Sequence, residues 1–102
     1  MAAILFVRVK SGLNPAELES RLVERRPRFC DVPGLVQKVY GRDESNGDVC
    51  GIYFFENQSA LEAFRETELA RTIPTAYEAL EIRRESYDVL YLLHPERGPF
   101  TE

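Results

Sequence analysis

The stretch Leu35–Phe55, LVQKVYGRDESNGDVCGIYFF, decides the fold of this chain. Two runs rich in β-branched and aromatic residues, 35–42 and 49–55, flank a polar segment, which is the pattern of two strands joined by a turn. Asn46-Gly47 lies inside that segment, and both residue types tolerate the positive φ angles of a hairpin turn. The second run is apolar on both of its faces, which is typical of a central strand covered on both sides.

The segments on either side extend the hairpin into a βαββαβ order. Residues 3–10 are rich in Ile, Leu, Phe and Val and predict a first strand, and 81–93 predict a fourth. Asn14-Pro15 predicts the start of the first helix, because Asn is a favoured cap and Pro suits the first helical position. The order is that of the ferredoxin-like α+β fold, with a four-stranded antiparallel sheet and both helices on one face.

Proline and capping residues set the predicted helix ends. Pro27 ends or kinks the first helix near its last turn, and Pro74 interrupts the second. The second helix begins between Asn57 and Ser59, where Ser59 and Glu62 favour a capping box. A short further helical piece is predicted for Ile73, Tyr77 and Leu80.

Length and composition predict a single domain at 1–94, followed by a loosely held tail at 95–102. The net charge of −4 argues against a nucleic-acid partner. Cys30 and Cys50 form no redox-type or metal-type pair, which favours reduced thiols in the cytoplasm. Since no basic leader and no apolar run near the ~18 residues of a membrane span is present, we expect a cytoplasmic protein without a membrane partner.

Cofactor and metal signatures are absent from the sequence. The one histidine, His94, belongs to no HxxxH pattern, and no CxxC, GxGxxG, P-loop or GxSxG motif occurs, so we expect no metal and no cofactor. His94 is either a general base or an exposed residue past the end of a strand. The arginine cluster is either an anion-binding patch or, since glutamates are interleaved with it, a solvated helix end; its members are Arg21, Arg25, Arg26 and Arg28.

The candidate site follows from the strand pairing of the hairpin. If Tyr40 lies opposite Gly51, then Lys38 lies opposite Tyr53, and Val36 opposite Phe55. One face would then carry Lys38, Tyr40, Tyr53 and Phe55, and the other face Leu35, Gln37, Val39, Ile52 and Phe54.

A lysine among aromatic residues suits a site for an aromatic or enolate-like anion, although a lysine that snorkels over core tyrosines gives the same pattern. Lys38 is predicted to hold a phenolate or carboxylate, with Tyr40 and Tyr53 orienting it or relaying a proton. Phe64 and Tyr87 are the candidate walls. No catalytic residue is assigned.

The hairpin also carries a family resemblance, through Pro33-Gly34-Leu35, Lys38-Val39-Tyr40 and Gly51–Phe55. These residues resemble the pattern of the YdhR-type monooxygenases of the dimeric α+β barrel superfamily, which includes the antibiotic-biosynthesis monooxygenases. The match covers about residues 29–70. It departs from the pattern at Gln37, Tyr40 and Cys50, so the pocket is expected to be reshaped.

The resemblance implies a dimer whose two sheets face each other, with a small cavity in each subunit. The residues independently favour a homodimer, because two helices can cover only one face of a sheet whose third strand is apolar on both. In the cofactor-independent oxygenases of the family, an electron-rich phenolic substrate itself activates dioxygen. Similar proteins act in bacterial secondary metabolism, including pigment and polyketide pathways.

Three functions remain open from the sequence. The chain is a cofactor-free monooxygenase of a small aromatic or pyrrolic metabolite, a non-catalytic carrier or chaperone of such a metabolite, or a protein whose paired sheets only make a dimer. Turnover separates the first two, and a shift in melting temperature on adding ligand separates the second from the third.

Overall fold

The computed structural model describes residues 2–93, and within them four strands form one antiparallel sheet in the order β2-β3-β1-β4. The elements, in chain order, are β1 (Ala3–Ser11), α1 (Pro15–Arg25), a 3-10 helix (Arg26–Asp31), β2 (Leu35–Arg42), β3 (Val49–Phe55), α2 (Gln58–Arg65), α3 (Glu68–Arg71), α4 (Ile73–Ala76) and β4 (Ala79–Asp88). This is the predicted ferredoxin-like α+β fold. The predicted tail at 95–102, and His94, lie outside the described residues.

The first helix begins and ends as its sequence predicts. The Asn14 side chain accepts a hydrogen bond from the Glu17 amide at 2.9 Å, and Pro15 occupies the first helical position. The α-helix ends at Arg25, and Pro27 falls in the first turn of the 3-10 helix that follows.

The second helical region differs from its prediction. The Asn57 side chain caps α2 by accepting from the Ala60 amide at 2.8 Å, so Ser59 lies inside the helix and the predicted capping box is wrong. An extended backbone at Asn57 places its short side chain over the first turn. The break after α2 comes at Thr67, which caps α3, and Pro74 sits in the first turn of α4 instead of interrupting a helix.

The last strand begins earlier and ends earlier than predicted. Leu80 lies in β4, which begins at Ala79, and not on a helical piece. β4 ends at Asp88 because Asp88 already pairs with Ala3, the first residue of β1, so the chain beyond it has no neighbouring strand to follow. One further hydrogen bond, from the Val89 amide to the Ala2 carbonyl, follows the last residue pair of β1 and β4.

A β-bulge at Val36 shifts the register of the hairpin. Lys38 pairs with Tyr53 as predicted, but Leu35, and not Val36, lies opposite Phe55. The extra residue turns the Val36 side chain outward, where it is 68% exposed. Leu35 thereby joins the face that packs against the core, which corrects its predicted place on the opposite face.

The core lies between the sheet and the helices. Alternate residues of β1 and β3 are buried there, and they meet apolar side chains from α1, the 3-10 helix and α2. The members from the two central strands are Ala3, Leu5, Val7, Val9, Val49, Tyr53 and Phe55.

The opposite face of the sheet, which we call the outer face, is apolar but only half-buried. Its side chains alternate with the core residues along the same strands and include Ile4, Phe6, Val39, Ile52 and Phe54. No described helix covers it, as the fold predicts. None of the described helices is long and apolar enough to cross a membrane.

Candidate functional site

A groove of about 750 Å³ lies between the first helical region and the edge strand β2. α1 and the 3-10 helix form one wall, with Leu22 and Phe29, and β2 forms the other, with Leu35, Lys38 and Tyr40. A second cavity of about 20 Å³, which is room for about one water molecule, lies deeper and reaches Tyr53 and Tyr77. Lys38 and Tyr40 line both spaces, so they mark the passage from the groove into the core.

The Lys38 amine sits at this passage, surrounded by three aromatic rings. Its Nζ atom is 3.5 Å from the centroid of the Phe29 ring, 4.2 Å from that of Tyr40 and 4.5 Å from that of Tyr53. We call these four residues the lysine cage. Gly51 makes room for it, because a Cβ there would lie 3.0 Å from Lys38 Cε and 3.1 Å from Tyr53 Cε1.

Burial dominates the electrostatics of Lys38. Burial, and to a smaller extent the positive charge of Arg25, together lower the pKa of the amine from 10.5 to about 7. Attraction of the rings for an ammonium opposes this, but it contributes about 0.5–2 kcal/mol. A pKa change of that size corresponds to roughly 5 kcal/mol, so the cost of desolvation wins. Among the described residues no carboxylate pairs with the amine.

The phenols around the lysine remain protonated at neutral pH. Burial raises the pKa of Tyr40 to about 12 and also raises the pKa values of Tyr53 and Tyr77. Protonated phenols are hydrogen-bond donors, and Tyr40, which also lines the groove, can donate to an anion there.

Arg25 adds a second buried cation behind the cage. It is 8% exposed, it donates to the Leu69 carbonyl at 2.9 Å, and its guanidinium carbon lies 5.5 Å from the centroid of the Tyr77 ring. Its Nε atom and the Tyr77 hydroxyl have no hydrogen-bond partner within residues 2–93. The interpretation of the arginine cluster as a solvated helix end is therefore wrong for Arg25, because the side chain turns under α3 and α4 to cap a backbone carbonyl there.

The remaining predicted residues fall in two different places. Phe64 packs behind the cage, with its ring centroid 5.2 Å from that of Tyr53, and contributes no surface to the groove. Tyr87 lies opposite Ile4 on the outer face, is 51% exposed and donates to Glu85 at 2.8 Å. The structure thus brings together Lys38, Tyr40 and Tyr53, with Phe64 behind them, and the expectation that Tyr87 is a wall of the same site is wrong.

Sequence reasoning missed Phe29, Arg25 and Tyr77. Phe29 carried a signal, since it continues the apolar stripe of the first helix at helical spacing. Tyr77 and Arg25 are far apart in sequence, and no local pattern indicates their contact.

The side chains that line the two spaces determine which ligands the site can take. Within the described residues no three His, Cys, Asp or Glu side chains lie close enough together to hold a metal. The inner cavity is lined by the Lys38 amine, phenols, one thiol and apolar residues, and the wall of the groove also contains Glu19, Arg26 and Arg42. Such a set can stabilise a phenolate, an enolate or a carboxylate.

The four-stranded sheet and its helices define a ferredoxin-like α+β protein with a groove beside its edge strand. The sequence matches the family described as "Putative mono-oxygenase ydhR" over residues 4–94, and the chain belongs to that family. No curated protein matches it significantly.

Several solved structures share this fold although their sequences are less than 20% identical to this chain. SnoaB, a cofactor-independent oxygenase from Streptomyces nogalater, is 19% identical and superposes with a TM-score of 0.74 over 90% of this chain and 96% of its own. A protein from Deinococcus radiodurans described as a "putative antibiotic biosynthesis monooxygenase" is 13% identical, with a TM-score of 0.73 over 93% of this chain and 98% of its own. A dimeric ferredoxin-like protein of unknown function from Thermobifida fusca is 11% identical, with a TM-score of 0.67 over 86% and 92%.

Proposed function

We propose that this protein is a cofactor-independent monooxygenase that binds a small aromatic or pyrrolic metabolite in the groove beside β2. The observation that carries the proposal is the Lys38 amine, which lies within 4.5 Å of three ring centroids and pairs with no carboxylate in the described chain. A ligand that brings its own negative charge relieves the cost of that buried ammonium.

The chemistry needs a substrate that ionises at the oxygen atom beside Lys38. An anionic ligand stabilises the ammonium form, and in return the ammonium lowers the pKa of the bound phenol. The electron-rich phenolate then combines with dioxygen at a ring carbon to give a hydroperoxide. Loss of water from the hydroperoxide gives a quinone, so that one phenol and one dioxygen yield one quinone and one water. The protonated phenol of Tyr40 donates to the oxyanion, and the rings of the cage exclude water.

The structural neighbours support this choice of chemistry. SnoaB is a cofactor-independent oxygenase, and the Deinococcus protein is described as a "putative antibiotic biosynthesis monooxygenase". We accordingly place the reaction in the biosynthesis of a secondary metabolite such as a pigment or a polyketide. The free thiols of Cys30 and Cys50 favour the cytoplasm as its compartment.

We propose that the protein is a homodimer in which the outer faces of the two sheets pack against each other. Apolar side chains of the three adjacent strands β2, β3 and β1 are half-buried there with no described element over them, and the Thermobifida neighbour is titled as dimeric. A stable pairing should bury well over ~1,000 Å², and light scattering should give the mass of two chains. A single-chain mass in dilute solution contradicts this arrangement.

Ligand binding and dioxygen consumption test the proposed function together. A panel of polyphenols and pyrrole carboxylates is screened for a rise in melting temperature, and each binder is then followed with an oxygen electrode. The chain contains two lysines, Lys10 and Lys38, so Lys10→Met is the matched control for Lys38→Met. We expect the control to keep binding and oxygen uptake and Lys38→Met to lose at least about tenfold in both.

The same experiment separates catalysis from a carrier role. Binding without any oxygen uptake, or any other turnover of the ligand, assigns the protein as a non-catalytic carrier or chaperone. If no member of the panel raises the melting temperature, the cavity does not hold this class of ligand.

A further inference from the structure

The Lys38 amine can do more than attract an anion. We propose that Lys38 is a nucleophile that forms an imine with a small aldehyde or 1,3-dicarbonyl compound in the groove. The inference rests on the proposed function in one respect only, namely that the groove takes a small organic ligand. It adds a covalent bond between that ligand and the protein.

The position of the amine suits attack on a ligand that enters from the groove. Nζ stands at the passage between the groove and the inner cavity, and both spaces contact the lysine. The rings of Phe29, Tyr40 and Tyr53 hold the side chain in place, and the close approach at Gly51 fixes its stem. A nucleophile held at the mouth of an apolar cavity reacts with a ligand whose carbonyl group is placed by the same walls.

The charges around the amine favour its neutral form. The titratable and charged groups that face it or line the same two spaces are Glu19, Arg25, Arg26 and Cys30 from α1 and the 3-10 helix, Tyr40 and Arg42 from β2, Cys50 and Tyr53 from β3, and Tyr77 after α4. Burial and Arg25 lower the pKa of Lys38 to about 7, so about half of the molecules carry the free amine at neutral pH. A lysine in a desolvated pocket beside another cation is an activated nucleophile for this reason.

The bond changes balance without an added oxidant or reductant. The Nζ lone pair attacks the carbonyl carbon, the C=O π electrons move to oxygen, and a proton passes from nitrogen to that oxygen to give a carbinolamine. The carbinolamine loses its hydroxyl group as water, with a second proton from nitrogen, and the C=N bond forms. One amine and one carbonyl compound give one imine and one water.

The walls favour a 1,3-dicarbonyl compound over a simple ketone. Such a compound is enolisable, so its enolate belongs to the class of anion that a protonated lysine and protonated phenols stabilise. Once one carbonyl has become the imine, the other is a hydrogen-bond acceptor, and the protonated Tyr40 phenol is a donor in the same groove. The product tautomerises to an enaminone, which absorbs in the near ultraviolet.

The internal comparison of the two lysines tests the proposal in the wild-type chain. The protein is incubated with acetylacetone and, separately, with benzaldehyde and cyanoborohydride, and peptide mass spectrometry measures the labelling rates of Lys38 and of exposed Lys10. We expect Lys38 to be labelled about a hundredfold faster than Lys10 at neutral pH, because an ordinary lysine holds about one amine in several thousand there. The rate at Lys38 should rise from about pH 6 to about pH 8 and then level off.

Two variants and one binding assay complete the design. Lys10→Met should keep the enaminone band, and Lys38→Met should lose it. Equal or faster labelling of Lys10 in the wild-type chain overturns the proposal, and that comparison does not depend on any variant folding. If polyphenols still raise the melting temperature while Lys38 is unreactive, the imine proposal fails and the proposed function stands. If Lys38 is labelled selectively but no polyphenol raises the melting temperature, the proposed function fails and the imine proposal stands.

Discussion

The stability of the Lys38→Met variant should depend on pH in a way that measures the cost of the buried amine. Methionine keeps the length of the stem and removes the charge. The pKa of Lys38 is about 7 in the folded protein and 10.5 in an ordinary lysine, so the folded state disfavours the ammonium. Below about pH 7 both states of the wild type are protonated and the full cost is present.

Whether the free energy of unfolding rises or falls with pH depends on how many protons the folded and unfolded states bind. Between about pH 7 and pH 10.5 the unfolded wild type keeps the proton that the folded protein releases, so the free energy of unfolding rises with pH. The limiting slope is about 1.4 kcal/mol per pH unit for one proton. Because the folded amine releases its proton gradually around pH 7, the mean slope from about pH 6 to pH 9 is smaller, about 1 kcal/mol per pH unit relative to Lys38→Met.

Urea unfolding at several pH values measures this difference. The transitions are followed by circular dichroism at about pH 6, 7, 8 and 9, below the range in which exposed tyrosines ionise. At about pH 6 the variant should be more stable than the wild type by roughly 2 kcal/mol, and by about pH 9 the gap should close or reverse. Lys10→Met should follow the wild type throughout.

Parallel plots of the free energy of unfolding against pH for the wild type and Lys38→Met would contradict this prediction. If wild type and Lys38→Met differ by a constant amount from about pH 6 to pH 9, the amine does not change protonation in that window on folding. A gap that widens in favour of the variant with rising pH has the opposite sign and refutes it equally.

Three further changes test other features. Gly51→Ala should destabilise the protein by about 1–3 kcal/mol in urea unfolding, because the new Cβ would lie 3.0 Å from Lys38 Cε, and it should also weaken ligand-induced melting shifts. Asn57→Ala should cost about 1 kcal/mol, because the α2 cap is lost; an unchanged urea midpoint would show that the cap contributes nothing. Phe54→Asp should turn the proposed dimer into a monomer in light scattering without unfolding it, since a charge on the outer face of one chain meets apolar surface of the other; a persistent dimer would place the interface elsewhere.

The sequence predicts the features that local chemistry controls. Asn14-Pro15 fixes the start of α1, and the turn around Asn46-Gly47 sets the strand pairing from which Lys38 and Tyr53 were placed on one face. The family resemblance over the same hairpin is confirmed by the match over residues 4–94.

Features that depend on contacts between distant parts of the chain could not be predicted from the sequence. The bulge at Val36 changes which side chains point inward, and nothing in the residues around it distinguishes it from a regular strand. Tyr87 was misplaced because the face of a β4 residue depends on the register with β1, which the sequence of β4 alone does not fix. Arg25 is buried because α3 and α4 fold over it, and those elements lie more than forty residues further along the chain.

The bulge at Val36 divides the edge strand into two parts with separate tasks. On its amino-terminal side Leu35 anchors the chain in the core, and on its carboxyl-terminal side the register holds Lys38 against Tyr53. A bulge absorbs changes in residue count, so the connection from the 3-10 helix can vary in length or sequence without sliding the lysine along its partner strand. Natural variants and engineered libraries can therefore reshape the entrance of the groove at residues 32–36 while Lys38 keeps its position opposite Tyr53.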